Sequence, residues 1–144
     1  MTRYHVVEPE VAGGWGENTE FTRTPGQPVV VHKLHYQFDG WLGDELLEST
    51  PCYIVTERLM AEIRRAQLTG VSFEQVEISK SEQFDELYPA RELPKFVWLK
   101  VDGTPGQDDF GVTADLQFVV SEQALTVLED VGISHALVER YEGE

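Results

Sequence analysis

The strongest constraint on how this chain folds is a short pattern that occurs twice, 65 residues apart (Tyr53 against Phe118). Tyr53, Ile54, Val55, Thr56, Glu57, Met60, Ile63, Leu68, Thr69, Phe73 and Glu74 align without a gap with Phe118, Val119, Val120, Ser121, Glu122, Leu125, Leu128, Ile133, Ser134, Val138 and Glu139. Each copy opens on an apolar run and passes into a Thr or Ser whose hydroxyl can cap a helix, followed by an acid suited to the first turn. Leu59, Met60, Ile63 and Ala66, and later Ala124, Leu125, Leu128 and Val131, recur at helical spacing. Gly70 and Gly132 are expected where those helices end. Val71, Phe73, Val76 and Ile78, and later Ile133, Ala136 and Val138, are expected to return as strands. The predicted unit is strand, helix, strand, over about residues 51–78 and 116–141, closing as a right-handed crossover. Two copies are too few for a solenoid.

The rest of the chain reads as further strands and short turns. Residues 3–8 alternate enough for a first strand, and the Gly- and Pro-rich stretch from Val11 to Pro28 is expected to be a long surface loop. Val29 to Phe38 reads as one strand. Trp41, Leu42, Leu46 and Leu47 are expected to form a helical turn. Ser81 caps a predicted short helix that stops before Pro89. Phe96 to Val101 is apolar on both alternating sides, as in a central strand. Asp102 to Gly106 is a turn, and a short strand is expected near Val112. Together these predict a single α+β domain over 1–144, with a mixed β-sheet and two or three helices.

Charge narrows the function classes. The chain holds 26 acids against 11 basic residues, a net −15, and residues 101–144 alone carry 10 acids and 1 base. Such a surface repels phosphate backbones and speeds encounter with basic partners. Nucleic-acid binding is therefore not expected. No stretch is long and apolar enough to span a membrane, and Met1 to Val7 lacks a signal-peptide pattern, so a cytoplasmic protein is expected. The single cysteine, Cys52, rules out an internal disulfide and is expected to be a small packing residue.

No residue pattern announces catalysis. Asp108, Asp109 and Asp115 form the tightest carboxylate group near a glycine-bearing turn, where hard cations could find oxygens, but their spacing is not that of a calcium loop. Asp109-Phe110-Gly111 looks like a kinase metal-binding tripeptide without the other kinase motifs, and is coincidental. His32 and His35 are expected on opposite faces of a strand, unable to share a metal, and His5 and His135 have no partner visible in sequence. No nucleophile elbow is present. Trp15, between two glycines, and Trp41 are candidate interface anchors, with core packing the competing reading for Trp41. Trp98 is expected in the core.

Leu116-Gln117-Phe118-Val119-Val120-Ser121-Glu122-Gln123-Ala124-Leu125, with the later Gly132-Ile133 and a final strand, resembles the C-terminal unit of immunity proteins from bacterial polymorphic-toxin systems. Leu93 to Leu99, Val101 and the turn around Asp108-Asp109-Phe110-Gly111 are similar to uncharacterised bacterial proteins related to that group. The likeness covers roughly residues 51–141. It implies a small cytosolic non-enzyme that binds and neutralises a toxin; the matching positions are scaffold and transfer no binding residues. Separately, no cofactor and no metal are expected.

Resemblance and charge give one expectation: an acidic protein that binds a basic protein partner through Asp108, Asp109 and Asp115, with Trp15 or Trp41 as anchors. The alternatives are a small metal-assisted hydrolase using Asp108, Asp109 and Asp115, and a structural domain whose repeat forms a homo-oligomer interface.

Overall fold

The computed structural model describes residues 3–142. In chain order the strands are β1 (Tyr4–Glu8), β2 (Gly13–Trp15), β3 (Glu20–Thr22), β4 (Val30–Lys33), β5 (His35–Phe38), β6 (Leu46–Ser49), β7 (Cys52–Thr56), β8 (Val71–Glu74), β9 (Glu77–Lys80), β10 (Phe96–Val101), β11 (Phe110–Val112), β12 (Phe118–Ser121) and β13 (Leu137–Arg140). The helices are α1 (Glu57–Arg65), α2 (Glu82–Leu87) and α3 (Glu122–Val131). The fold is α+β, with the strands divided among sheets ordered β6-β7-β10-β8, β11-β12-β1-β13, β2-β5-β9 and β3-β4. The expected single mixed sheet is thus several small ones. The three-strand sheet mixes directions, with β2 antiparallel and β9 parallel to β5.

The two four-stranded sheets are built alike. In one, β7 leads into α1 and returns as β8, with β10 inserted antiparallel between them; in the other, β12 leads into α3 and returns as β13, with β1 inserted. Trp98 of β10 lies between Ile54 and Glu74, and Val6 of β1 lies between Val119 and Glu139. Those flanking residues are the pairs that the sequence alignment matches, so both units hold the same register across their inserted strand. The helix starts are also alike: the hydroxyl of Thr56 accepts from Leu59 N at 3.1 Å, and that of Ser121 from Ala124 N at 3.0 Å. Ser81 caps α2 in the same way, from Phe84 N.

Strand β7 is buried at all five positions, because apolar side chains alternate between two cores. Tyr53 and Val55, with Leu46 and Leu99, face a core completed by Val7, Phe110, Phe118, Val120, Leu59, Ile63 and Leu128, so α1, α3 and both large sheets share it. Cys52 and Ile54, with Leu47, Phe96 and Trp98, face a second core with Leu34, Tyr36, Phe38 and Phe84. A sheet covered on both faces needs apolar residues at both alternations, as β10 shows.

The sequence expectations fail where the same burial logic was misread. Leu46 and Leu47 belong to a strand rather than a helical turn, since consecutive leucines serve opposite faces of one sheet. The stretch from Val11 to Pro28 contains β2 and β3 instead of a continuous loop. Its glycines allow close approach: a Cβ at Gly13 would strike the Gln37 carbonyl, and one at Gly16 the His35 ring. Val29 to Phe38 is two strands in different sheets, and residues 71–80 likewise split into β8 and β9. Gly132 caps α3, but α1 ends at Arg65 with Gln67 in the left-handed region, and Gly70 serves the following turn.

Candidate partner-binding site

The acids picked out by sequence do not form one cluster. Asp108 and Asp109 precede β11 and Asp115 follows it, so a three-residue strand spanning roughly 10 Å lies between them. Asp108 closes its own turn, accepting from Thr104 N at 2.7 Å. Asp109 accepts from Thr69 N at 2.9 Å and from Ser121 Oγ at 2.6 Å, while its carbonyl accepts from Ser121 N at 2.8 Å. Glu45 has the same role in the other unit: Thr56 Oγ1 donates to its carboxylate at 2.6 Å, and its carbonyl accepts from Thr56 N at 3.0 Å. Asp109 is therefore half of a repeated device in which an acid fixes the hydroxyl that caps a helix. Asp115 alone of the three is exposed, hydrogen-bonded to Thr113 across the β11–β12 turn.

The tryptophans are largely built into the protein. Trp41 packs edge-on against Phe96, donates from Nε1 to the Asp44 carbonyl at 2.9 Å and carries the Arg91 guanidinium over its ring. Trp15 is half-buried against Phe21 at a ring separation of 4.9 Å. Trp98 is buried, as expected. Cys52 is also buried; burial pushes its thiol up to about 12, against a smaller opposing effect of Trp15 and Lys100, so it is an unreactive packing residue.

The histidines make contacts that sequence did not reveal. His35 Nδ1 accepts from Asn18 N, so Nε2 bears the hydrogen and donates to Ser79 Oγ at 2.7 Å. That tautomer cannot take a proton from Ser79, which argues against a serine nucleophile here. Glu10, Asp44 and His135 bring ligand-type atoms within 4.8 Å of one another. Every one of their carboxylate oxygens already accepts a hydrogen bond: Glu10 from Leu42 N and Asp44 N, Asp44 from His135 N and Nδ1. The trio reads as a lock joining the 41–44 loop to the segment after α3, with Glu10 and Asp44 both buried.

Asp115 instead opens onto a different acidic site. A pocket of about 230 Å³ between the two large sheets is lined by Glu8, Glu48, Asp115 and Glu139 together with Tyr53, Leu116 and Leu137. Pairing of β1 with β13 sets Glu8 and Glu139 on adjacent strands, the β11–β12 turn adds Asp115, and β6 of the other large sheet adds Glu48. None of the four makes an ion pair among the described residues. Burial, and then the nearby Glu8 charge, hold the Glu48 carboxyl above its ordinary range despite hydrogen bonds from Thr50 and Tyr53. The leucines at the mouth are exposed, Leu137 at 65% and Leu116 at 46%, and Leu116 sits at φ 67, a conformation that L side chains disfavour.

Comparison of the two units explains why this pocket is uncompensated. In the first, Glu74 pairs with Lys100 of the inserted strand at 2.6 Å. In the second, Glu139 stands for Glu74, and the position two residues beyond Val6 on the inserted strand, matching Lys100, is Glu8. A neutralised ion pair on one sheet is thus a pair of like charges on the other. Sequence reasoning included Glu139 in the repeat but could not see Glu8 beside it, because β1 lies outside both copies. Compared with models of known protein families and with curated proteins, the chain matches none.

Proposed function

We propose that this is a non-catalytic acidic protein that binds a basic protein partner, acting as an immunity-like inhibitor of a bacterial toxin. The observation that carries the binding reading is the unneutralised pocket of Glu8, Glu48, Asp115 and Glu139 under two exposed leucines. A lysine or arginine side chain suits it chemically: its methylene stem would lie on Leu116, Leu137 and Tyr53, and its charged head would meet the carboxylates. The net charge of −15 supports fast, steered association with such a partner. The toxin assignment follows from the resemblance of residues 51–141 described above. Within this proposal Asp115 contributes to the contact surface, while Asp108 and Asp109 act mainly as supports.

The test is affinity capture from lysate of the source organism at low salt, using the parent and a Glu8→Lys, Glu139→Lys variant. Recovery of one basic protein by the parent alone, with an association rate that falls steeply as salt rises, is the expected result. A captured partner indifferent to both charge reversals, or a rate independent of salt, would count against the pocket.

A further inference from the structure

Two buried carboxylates lie side by side without a lysine or arginine to balance them. Glu10 is 5% exposed and Asp44 2%, and each brings an oxygen within 4.8 Å of the other and of a ring nitrogen of His135. Among the described residues Glu10 makes no ion pair, and Asp44 pairs only with His135. Buried charges are ordinarily paired or hold a metal, and one imidazole cannot neutralise two carboxylates even when protonated. The hydrogen bonds that fix these groups leave room for an ion. Glu10 accepts from the backbone N–H groups of Leu42 and Asp44, and Asp44 Oδ2 accepts from that of His135. Gly43, at φ 110, gives the turn that aims the N–H groups on either side of it at one carboxylate. An ionised carboxylate offers about four lone-pair positions, so each of these oxygens keeps one free. The peptide N–H groups then act as the outer partners that orient metal-binding carboxylates.

We propose that Glu10, Asp44 and His135 form a divalent transition-metal site, with zinc the ion that its mixed oxygen and imidazole donors suit. The ion would replace the hydrogen between His135 Nδ1 and Asp44 Oδ1, which lie 2.9 Å apart. The ring hydrogen would move to Nε2, where the 42% exposure of the side chain gives it water as a partner, and water would fill the fourth metal position. Ligand atoms of a tetrahedral zinc site are about 3.3 Å apart, so the separations of up to 4.8 Å need close by no more than about 1.5 Å. Glu10 follows β1, Asp44 precedes β6 and His135 precedes β13, and all three strands line the acidic pocket. A bound ion would therefore fasten that pocket from one end, although the two sites share no residue.

The probe is Zn²⁺ added to the chelator-treated full chain, with binding read by calorimetry and the histidine rings followed by NMR. The expected result is one ion per chain with a Kd of about 10 µM or lower. The ring signals of His135 should shift while those of His5, His32 and His35 stay in place, and the melting temperature should rise with zinc concentration. His135→Ala and Glu10→Gln should each bind at least about tenfold more weakly, whereas Glu8→Gln, Glu139→Gln should bind as the parent does. Ca²⁺ and Mg²⁺ at the same concentrations should not compete, since both prefer oxygen donors alone. The proposal is overturned by absence of saturable binding up to about 1 mM, by a shift at another histidine in place of His135, by unchanged affinity in either ligand variant, or by competition from Ca²⁺. Loss of binding in the Glu8, Glu139 variant would place the ion in the acidic pocket and would equally overturn it.

Discussion

Glu48 records the cost of assembling the acidic pocket. Its carboxyl is held above the ordinary value because folding removes water from it and places it near Glu8. A carboxyl whose folded pKa exceeds its unfolded one favours the folded state at low pH, and that advantage is lost as pH rises from the unfolded toward the folded value. At neutral pH the ionised group therefore opposes folding. Glu48→Gln is expected to raise the melting temperature at pH 7 by more than at pH 4, with a neutral amide still able to accept the Thr50 hydroxyl hydrogen. Equal effects at both pH values, in a thermal melt followed by circular dichroism, would contradict this account. A bound cationic side chain should reverse the trend by favouring the ionised form. Of the five residues singled out from sequence, only Asp115 lines this pocket, because sequence proximity groups acids along a turn whereas strand pairing groups them across one.

At the scale of elements, the strand-to-helix junctions were the most legible part of the chain. The apolar run, the hydroxyl and the first-turn acid lie within a few residues, so local chemistry specifies β7–α1 and β12–α3 without long-range knowledge. The supporting acids Glu45 and Asp109 were harder to recognise, since each stands a different distance before its hydroxyl. Thr56→Ala and Ser121→Ala are each expected to lower stability by about 1–2 kcal/mol, measured by urea unfolding. In a cycle with Asp109→Ala, the Ser121 substitution should show a coupling of about 1 kcal/mol, as two residues sharing one hydrogen bond do. Strict additivity would remove Asp109 from its supporting role. β6 and β2 were illegible for a different reason: paired leucines and clustered glycines take their meaning from what packs against them.

For the whole molecule, the two large sheets are alike in layout and opposite in how they obtain their inserted strand. The first unit receives β10 soon after its own return strand, whereas the second receives β1 from the other end of the chain. During synthesis, the segment Tyr4–Glu8 is made well before β12 and β13, its partners on both sides, and must wait for them. Val7 meanwhile belongs to the shared core. This wide separation favours slow formation of the second sheet. It also makes β1 a detachable part: a chain beginning at Glu10 should be strongly destabilised, and a synthetic peptide spanning residues 1–9 should restore its thermal transition by occupying the vacated slot. An unchanged melting temperature without β1, or no response to the peptide, would show that the slot closes unaided. If the strand can be supplied in trans, the sheet carrying Glu139 assembles on demand, and the protein divides naturally into a two-piece reporter whose signal depends on the reunion of its ends.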